Sequence, residues 1–267
     1  MTVAALQYDI QRGRPGANLA AAERLLDGLD ADLVVLPELA ASGYFFESTA
    51  QARDLSEPIP DGPTVRALQR WARETGMSFV AGVAERDGDT LYNSAVVVTP
   101  KGWLGTYRKT HLFYQETLHF APGDSGFRVW TLTDRRGTSY RLGVMVCFDW
   151  LFPEAARTLA LQGADVIAHP SNLVLPHCPQ SMPLRALENG AFTITANRTG
   201  EESVGDETLS FIGRSVICGP DASVLARADG RETRAIVADL DPRRARDKAF
   251  NAYNERVGDR RPELYAR

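Results

Sequence analysis

The stretch VMVCFDWLFPE, residues 144–154, joins an apolar run to a cysteine and then to a proline that opens an alanine-rich segment. A continuous apolar run is typical of a buried strand, and proline is favoured in the first turn of a helix. The stretch therefore predicts a strand-to-helix turn with Cys147 at its apex. A thiol in that position can act as a nucleophile if a base and a charge stabiliser come from elsewhere in the chain. The alternative is a structural role, since a free cysteine is ordinarily a small buried hydrophobe.

Strand and helix patterns alternate on both sides of this turn. Before it, they predict strands at 3–6, 32–36, 78–85, 91–99, 103–107, 127–132 and 140–146, with helices at 18–29 and 64–75. After it, they predict a helix at 153–161, a second helix capped by Ser181, and strands at 165–169, 192–196, 211–217, 223–227 and 233–240. This order indicates an α/β fold with two stacked sheets flanked by helices. We expect one domain over residues 1–267, whose polar tail from about residue 241 packs on the body or on a partner subunit.

The composition is that of an ordinary globular protein, with 44% hydrophobic and 24% charged residues. The net charge of −4 offers no basic face for nucleic acid or for an anionic membrane. No apolar run approaches the roughly 20 residues that span a bilayer, and the N-terminus lacks the pattern of an export signal. We therefore expect a cytoplasmic protein without nucleic-acid or membrane partners.

The cysteines and histidines argue against a metal site. Cys147, Cys178 and Cys218 are odd in number and form no close pair, which disfavours a disulfide framework or a four-cysteine zinc site. The four histidines are scattered and match no metal-binding spacing. No phosphate-binding glycine loop is present either. The sequence predicts no metal and no cofactor.

Three charged residues lie where predicted strands end. Glu38 follows Pro37 directly after the second strand, in the position that faces the ligand crevice of an α/β sheet. Lys109 follows the strand at 103–107, and Glu116 lies seven residues further along the same long loop. Each alone is ordinarily a solvated surface residue, so their interest depends on the chemistry that they share with Cys147.

A cysteine thiol has an ordinary pKa of about 8.5 and is mostly protonated at neutral pH. A glutamate can accept its proton during attack and later activate the water that releases an acyl group. A lysine ammonium, together with the N–H of Phe148 on the turn, can stabilise the oxyanion of a tetrahedral intermediate. A second glutamate can orient that lysine and hold a substrate nitrogen.

These segments resemble the three signatures of the nitrilase superfamily, the carbon–nitrogen hydrolases. The matching pieces are Pro37–Glu38, residues 108–113 with Glu116, and residues 147–150 with 152–154. The resemblance covers nearly the whole chain and implies a four-layer α-β-β-α sandwich that forms at least a homodimer. It also implies Glu38 as general base, Lys109 as oxyanion stabiliser, Cys147 as nucleophile and Glu116 as a positioning residue.

Residues next to the cysteine indicate the substrate. In this family an aromatic residue and aspartate after the cysteine, here Phe148 and Asp149, are more typical of amidases than of nitrilases. Branches that bind a free carboxylate tend to carry arginine where this chain has Trp150 and Leu151. Without a guanidinium to pair it, a buried carboxylate is costly, so we expect a small neutral substrate.

The predicted pocket wall is aromatic and aliphatic. It combines residues 44–46 after Glu38 with residues 172–175, and we assign substrate contact to Phe148, Trp150, Tyr44, Asn172 and Leu173. Residues 169–176 are similar to a branch of thermostable prokaryotic enzymes that act on small aliphatic amides or nitriles.

The leading hypothesis is therefore an amidase that converts a small neutral amide into a carboxylic acid and ammonia through a cysteine thioester. Two enzymatic alternatives stay open, a nitrilase for small aliphatic nitriles or dinitriles and an N-carbamoyl amine hydrolase. A binding module with a dead site is the third alternative. It would be favoured by the loss of one of the four residues, and none is lost.

Overall fold

A computed structural model describes residues 1–265 of the chain, and its regular structure is mostly strand. The strands are β1 (Thr2–Gln7), β2 (Leu33–Val35), β3 (Ser78–Asp87), β4 (Thr90–Thr99), β5 (Gly102–Arg108), β6 (Val129–Thr133), β7 (Ser139–Val144), β8 (Val166–Pro170), β9 (Phe192–Ala196), β10 (Glu201–Val204), β11 (Glu207–Ser210), β12 (Val216–Cys218), β13 (Val224–Arg227) and β14 (Arg234–Asp239). The α-helices are α1 (Pro15–Arg24), α2 (Thr49–Asp54), α3 (Pro63–Thr75), α4 (Glu116–His119), α5 (Pro153–Leu161), α6 (His177–Asn189) and α7 (Arg243–Arg246). Short 3₁₀ helices cover Cys147–Leu151 and Pro262–Leu264.

Two six-stranded sheets form the middle of the molecule. The first has the order β14-β1-β2-β3-β4-β5, and the second has the order β13-β12-β9-β8-β7-β6. In each sheet three central strands are parallel, β1 to β3 in the first and β7 to β9 in the second, and antiparallel strands extend both edges. Parallel strands of this kind are covered on both faces.

The strand sequences explain the layers. Side chains alternate between the two faces of a strand, so Val3 faces the second sheet while its neighbour Ala4 faces the helix layer. Between the sheets, Val3 shares one core with Leu142 and Val166 of the second sheet. Helices α1 and α3 lie on the outer face of the first sheet and pack their apolar side chains against it. The outer face of the second sheet is covered by α5 and α6. The expected four-layer α-β-β-α sandwich is therefore confirmed.

The apolar stripe of α3 shows why this helix packs as it does. Val65, Leu68 and Trp71 recur at helical spacing, and all three are buried against the first sheet. Gly76 ends the helix in the left-handed conformation, with φ of 72°, that glycine adopts without steric cost. None of the helices within residues 1–265 is both long enough and apolar enough to cross a membrane.

Several element predictions were wrong in detail. Helix α6 begins at His177, so Ser181 lies inside it and donates its hydroxyl to the carbonyl of His177 rather than capping the helix. Residues 211–215 are irregular and not strand, because their backbone N–H groups bond to distant carbonyls such as those of Gly200 and Leu173. The hairpin β10–β11 was not predicted, because its polar sequence has little apolar alternation.

The C-terminal segment contacts the second sheet and α6 through basic side chains. Arg246 pairs with the buried carboxylate of Asp165 at 2.9 Å, and the Lys248 ammonium donates to the carbonyls of Asn189 and Gly190 at 3.1 and 2.8 Å. These contacts fix residues 243–248 to the chain's own body.

Gly82 of β3 allows the backbone of Glu38 to approach the sheet. The Gly82 N–H donates to the carbonyl of Pro37 at 3.0 Å, and its carbonyl accepts from the Ala40 N–H at 2.9 Å. A Cβ atom at position 82 would lie 2.4 Å from the Cα atom of Glu38. The position of Glu38 thus depends on the absence of a side chain at residue 82.

We expect Gly82→Ala to lower the free energy of unfolding by about 1–3 kcal/mol, because the added methyl group overpacks a buried backbone contact. Urea unfolding would measure the change. Gly16→Ala is the matched control, since Gly16 lies in α1 with open space around its Cβ position, and alanine there should be neutral or stabilising by up to about 1 kcal/mol. Equal stability of the two variants would contradict the close approach.

Candidate active site

Cys147 lies at the turn that the apolar run predicted. Strand β7 ends at Val144, a 3₁₀ helix begins at Cys147, and α5 begins at Pro153. Cys147 has φ of 42°, in the left-handed region that residues other than glycine rarely adopt. Its side chain is buried. A strained backbone of this kind persists only where surrounding contacts hold it.

The carboxylate of Asp149 is the first of these contacts. One oxygen, Oδ2, accepts the Val146 N–H at 2.8 Å and the Tyr107 hydroxyl at 2.7 Å. The other, Oδ1, accepts the His111 N–H at 3.1 Å and lies 2.7 Å from the His111 Nδ1 atom. Asp149 therefore ties the cysteine turn of the second sheet to the end of β5 in the first sheet, next to Lys109.

His169 of β8 also contacts the cysteine turn. Its Nε2 atom lies 2.9 Å from the Cys147 carbonyl, and its Nδ1 atom lies 3.0 Å from the Thr195 hydroxyl. Because a carbonyl only accepts, Nε2 carries the proton and Nδ1 accepts from Thr195. Burial lowers the pKa of His169 to about 4, so the imidazole is neutral near pH 7.

The predicted residues Glu38, Lys109 and Glu116 meet in one buried cluster. The Lys109 ammonium lies 2.7 Å from Glu38 Oε1 and 2.7 and 2.8 Å from the two oxygens of Glu116. Burial alone would lower the pKa of Lys109, but the carboxylates of Glu116 and Glu38 raise it above its ordinary value. The lysine is therefore a fixed cation. Burial raises the pKa of Glu116 to about 7, against the opposing effect of Lys109.

Asn93 and Tyr44 add hydrogen bonds to the cluster. The Asn93 side-chain N–H₂ donates to Glu38 Oε1 at 2.7 Å and to Glu116 Oε2 at 3.2 Å, and the backbone carbonyl of Asn93 accepts the backbone N–H of Lys109 at 2.8 Å. The Tyr44 hydroxyl donates to Glu116 Oε1 at 2.7 Å. Sequence reasoning missed Asn93, although an amide inside the predicted strand at 91–99 is a signal that could have found it.

The two oxygens of Glu38 differ in their surroundings. Oε1 receives both Lys109 and Asn93, whereas Oε2 is buried and has no hydrogen-bond partner within residues 1–265. Oε2 is therefore the oxygen of Glu38 that is free to accept a proton from a neighbouring group.

A cavity of about 50 Å³ opens beside the cysteine. Its wall consists of Phe113, Cys147, Phe148, Trp150, Asn172, Leu173, Val174 and Leu175. Four of the residues assigned to substrate contact are in this wall, and Phe113 is an addition. Tyr44 is not in it, since its hydroxyl is directed to Glu116. A larger groove of about 600 Å³ near Trp103 and Trp130 contains none of these residues.

The thiol of Cys147 is protonated at rest. Burial and the nearby Glu38 carboxylate raise the pKa of Cys147 well above its ordinary value, although Lys109 and the backbone N–H of Asn172 act in the opposite direction. A thiol in this state attacks only when a base removes its proton.

The fold and this cluster define a class of protein. A four-layer α-β-β-α sandwich that places a buried ammonium and two carboxylates near a buried thiol, with that thiol in the wall of a small cavity, is the arrangement of a hydrolase that attacks an acyl-like carbon.

Comparison with known proteins gives the family. The family model for carbon-nitrogen hydrolases matches residues 2–250, and the chain belongs to this family, within the nitrilase superfamily. A nitrilase of Pyrococcus abyssi is 50% identical over 268 residues, which cover 99% of each chain. An N-carbamoylputrescine amidase of Solanum lycopersicum is 33% identical and covers 99% of this chain and 93% of its own. Among solved structures, an amidase from Nesterenkonia sp. superposes with a TM-score of 0.78 at 27% identity, covering 99% of this chain and 94% of that one.

We expect His169 to make stability depend on pH. Its pKa of about 4 lies below the ordinary value of 6.5, so the unfolded chain binds more protons between these values, and stability falls as the pH is lowered through that window. The loss is about 3 kcal/mol in total. Replacing the imidazole by a neutral amide in His169→Gln should remove this contribution, as measured by urea unfolding from pH 7.5 to 4.

The exposed His177 provides the control, because it takes no part in the cysteine turn. His177→Gln should give a stability curve parallel to that of the unaltered protein. If the curve of His169→Gln were parallel as well, the buried neutral imidazole would be disproved.

Proposed function

We propose that this carbon–nitrogen hydrolase converts a short neutral amide into a carboxylic acid and ammonia through a thioester on Cys147. The observation that carries the proposal is that the two carboxylate oxygens of Glu38 have different surroundings. Lys109 and Asn93 bind Oε1, and Oε2 is left without a partner among residues 1–265, in a site whose thiol needs a base.

In the first half of the reaction, the Cys147 sulfur attacks the amide carbon while Glu38 Oε2 takes the thiol proton. The C–S bond forms, and the carbonyl electrons move to oxygen, where the Lys109 ammonium and the Phe148 N–H stabilise the negative charge. The C–N bond then breaks. Glu38 passes its proton to the leaving nitrogen, so that ammonia departs and the acyl group remains on sulfur.

In the second half, water replaces ammonia. Glu38 removes a proton from the water as its oxygen attacks the thioester carbon, and Lys109 stabilises the second oxyanion in the same way. The C–S bond breaks, the sulfur recovers the proton from Glu38, and the carboxylic acid leaves. The cycle needs no oxidant, reductant or further reactant.

Glu116 acts by position in this proposal. Its two carboxylate oxygens accept hydrogen bonds from the Lys109 ammonium. Tyr44 and Asn93 donate to the same oxygens and so orient the carboxylate. A lysine fixed in this way costs no reorganisation when the oxyanion forms, which is the main advantage of a preorganised site. Glu116 also offers an acceptor for the N–H groups of the bound amide.

The cavity supports a small neutral substrate. Apart from Cys147 and Asn172 its wall is apolar or aromatic, and no side chain in it carries a charge. Trp150 and Leu151 stand where an arginine would be needed to pair a substrate carboxylate. Desolvating an unpaired charge in such a cavity is costly, whereas a neutral amide exchanges its hydrogen bonds for those of the site.

We propose further that the chain acts as one domain and as a homo-oligomer, at least a dimer, in the cytoplasm. Exposed leucines near and on α5 and α6, at positions 151, 161 and 184, are 43–58% accessible and support an apolar interface. The three cysteines are free and buried, which fits a reducing compartment.

A nitrile is the second candidate substrate, favoured by the 50% identity to the Pyrococcus abyssi nitrilase. Addition of the thiol to a nitrile carbon would give a thioimidate, and addition of one water molecule to it would give the tetrahedral intermediate from which ammonia leaves and the thioester forms. Comparing ammonia release from propionamide and propionitrile separates the two substrates. Release of carbon dioxide with ammonia from a carbamoyl amine would identify the remaining alternative.

We expect Cys147→Ala to lower kcat/KM for propionamide by at least about 10⁴-fold, because loss of a nucleophile removes the covalent route. Rapid acid quench followed by intact-protein mass spectrometry should show a propionyl adduct on the unaltered protein, which peptide mapping assigns to Cys147. Cys218→Ala is the control, since that buried cysteine lies in β12 outside the cavity and should keep both turnover and adduct. Full activity of Cys147→Ala, or an acyl group mapped to another residue, would refute the mechanism.

A further inference from the structure

The side chain of Asn172 is buried beside Cys147 without a partner in the protein. Only 2% of the residue is exposed, and neither Oδ1 nor Nδ2 has a hydrogen-bond partner within residues 1–265. Buried amides are ordinarily satisfied, and nearby Asn197 is an example. Its Oδ1 accepts the Leu173 N–H at 2.8 Å and its Nδ2 donates to the Gly213 carbonyl at 2.6 Å. Asn93 and Asn189 each lack a partner for Oδ1 alone, whereas both polar atoms of the Asn172 side chain lack one among residues 1–265, which requires an explanation.

The location of Asn172 suggests a ligand. The residue lines the same cavity as Cys147, and its backbone N–H is directed at the thiol. The rest of the wall consists of Phe113, Phe148, Trp150, Leu173, Val174 and Leu175, so Asn172 supplies the only side-chain amide. A ligand that fills this cavity without pairing the amide leaves a buried polar group unsatisfied, which costs affinity.

The scissile group of the substrate does not need Asn172. In the proposed reaction the carbonyl oxygen is bound by Lys109 and Phe148, and the nitrogen faces the two glutamates. The Asn172 amide, with one acceptor and one pair of donors, is therefore available to a second part of the substrate.

We propose that Asn172 selects substrates that carry a second neutral hydrogen-bonding group, with both a donor and an acceptor, one or two carbons from the scissile carboxamide. A second carboxamide is the simplest such group. A short spacing keeps the second group within the wall that Cys147 and Asn172 share, and neutrality follows from the absence of a charged side chain in that wall. This proposal rests on the proposed function, because it assumes that the scissile amide is bound at Cys147.

Two pairs of compounds test it, each matched in shape. Malonamide is paired with isovaleramide, and succinamide is paired with 4-methylpentanamide, so that an isopropyl group replaces one carboxamide in each pair. Calorimetric titration of the Cys147→Ala protein measures binding without turnover. We expect at least about tenfold tighter binding of the diamide in one pair or both, because the isopropyl analogue leaves Asn172 unpaired. Malonamate, which bears a carboxylate, should bind at least about tenfold more weakly than malonamide.

Adding Asn172→Leu to this protein should abolish the preference for the diamide, so that the diamide and its isopropyl analogue bind about equally, or reverse it. Tyr140→Phe is the control, since it also removes a buried unpartnered polar atom but lies outside the cavity, and it should keep the preference. Thermal unfolding tests a purely structural role for Asn172. Because its amide has no partner in the described protein, the leucine variant should not unfold at a lower temperature.

Three results would overturn the proposal: equal binding within both pairs, a preference that survives Asn172→Leu, or a leucine variant that unfolds earlier and loses affinity for both members of a pair equally. Turnover of monoamides by the unaltered protein is measured separately. Turnover without a diamide preference would refute the role of Asn172 alone, whereas a diamide preference without any turnover would refute the proposed function alone.

Discussion

The structure depends on one buried cation, the Lys109 ammonium between the carboxylates of Glu38 and Glu116. Placing a charge in the interior is costly unless partners surround it, and losing one partner of such a group ordinarily costs about 3–5 kcal/mol. Glu38 comes from the segment that follows β2 of the first sheet, and Glu116 comes from the start of α4. Gly82 lets the Glu38 backbone approach β3, and Gly123, whose Cβ would lie 2.1 Å from the Arg108 carbonyl, lets the following loop close on Lys109. The close packing of the first sheet is thus the condition for a buried charged site.

The thiol comes from the other sheet, so the site exists only because the two sheets are held in register. Asp149 makes that connection, since it accepts hydrogen bonds from Val146 on its own turn and from Tyr107 at the end of β5. His169 adds support from β8 without adding charge, as burial keeps its pKa near 4. The strained φ of Cys147 is stable because contacts from both sheets fix the peptide groups around it.

The sequence could predict the residues whose position follows from local pattern. Glu38, Lys109 and Cys147 each follow the end of a predicted strand, the first two in one sheet and the third in the other, and strand ends are where an α/β fold places its ligand crevice. Asn93 was missed because it lies inside a strand, where its meaning depends on neighbours that are 55 and 23 residues away in sequence. Residues 211–215 were mistaken for strand for the same reason, since their hydrogen bonds reach carbonyls such as that of Leu173, which no local periodicity encodes. The aromatic residues at 44–46 predicted that Tyr44 lies near the site, but they could not show that the Tyr44 hydroxyl donates to Glu116.

The charge balance of the cluster bears on which molecules can enter. Two carboxyl groups lie within 2.8 Å of the single positive charge of Lys109, so little of that charge remains to attract a further anion. An anionic substrate would meet no net attraction there and would have to lose its hydration against an apolar wall. A neutral amide faces no such cost, and in the proposed reaction its carbonyl oxygen becomes negative only in the transition state, beside an ammonium that is already in place. Under that proposal the two carboxyl groups weaken the attraction of Lys109 for a ground-state anion, while the ammonium stabilises the transient one, which is the differential binding that a catalyst requires.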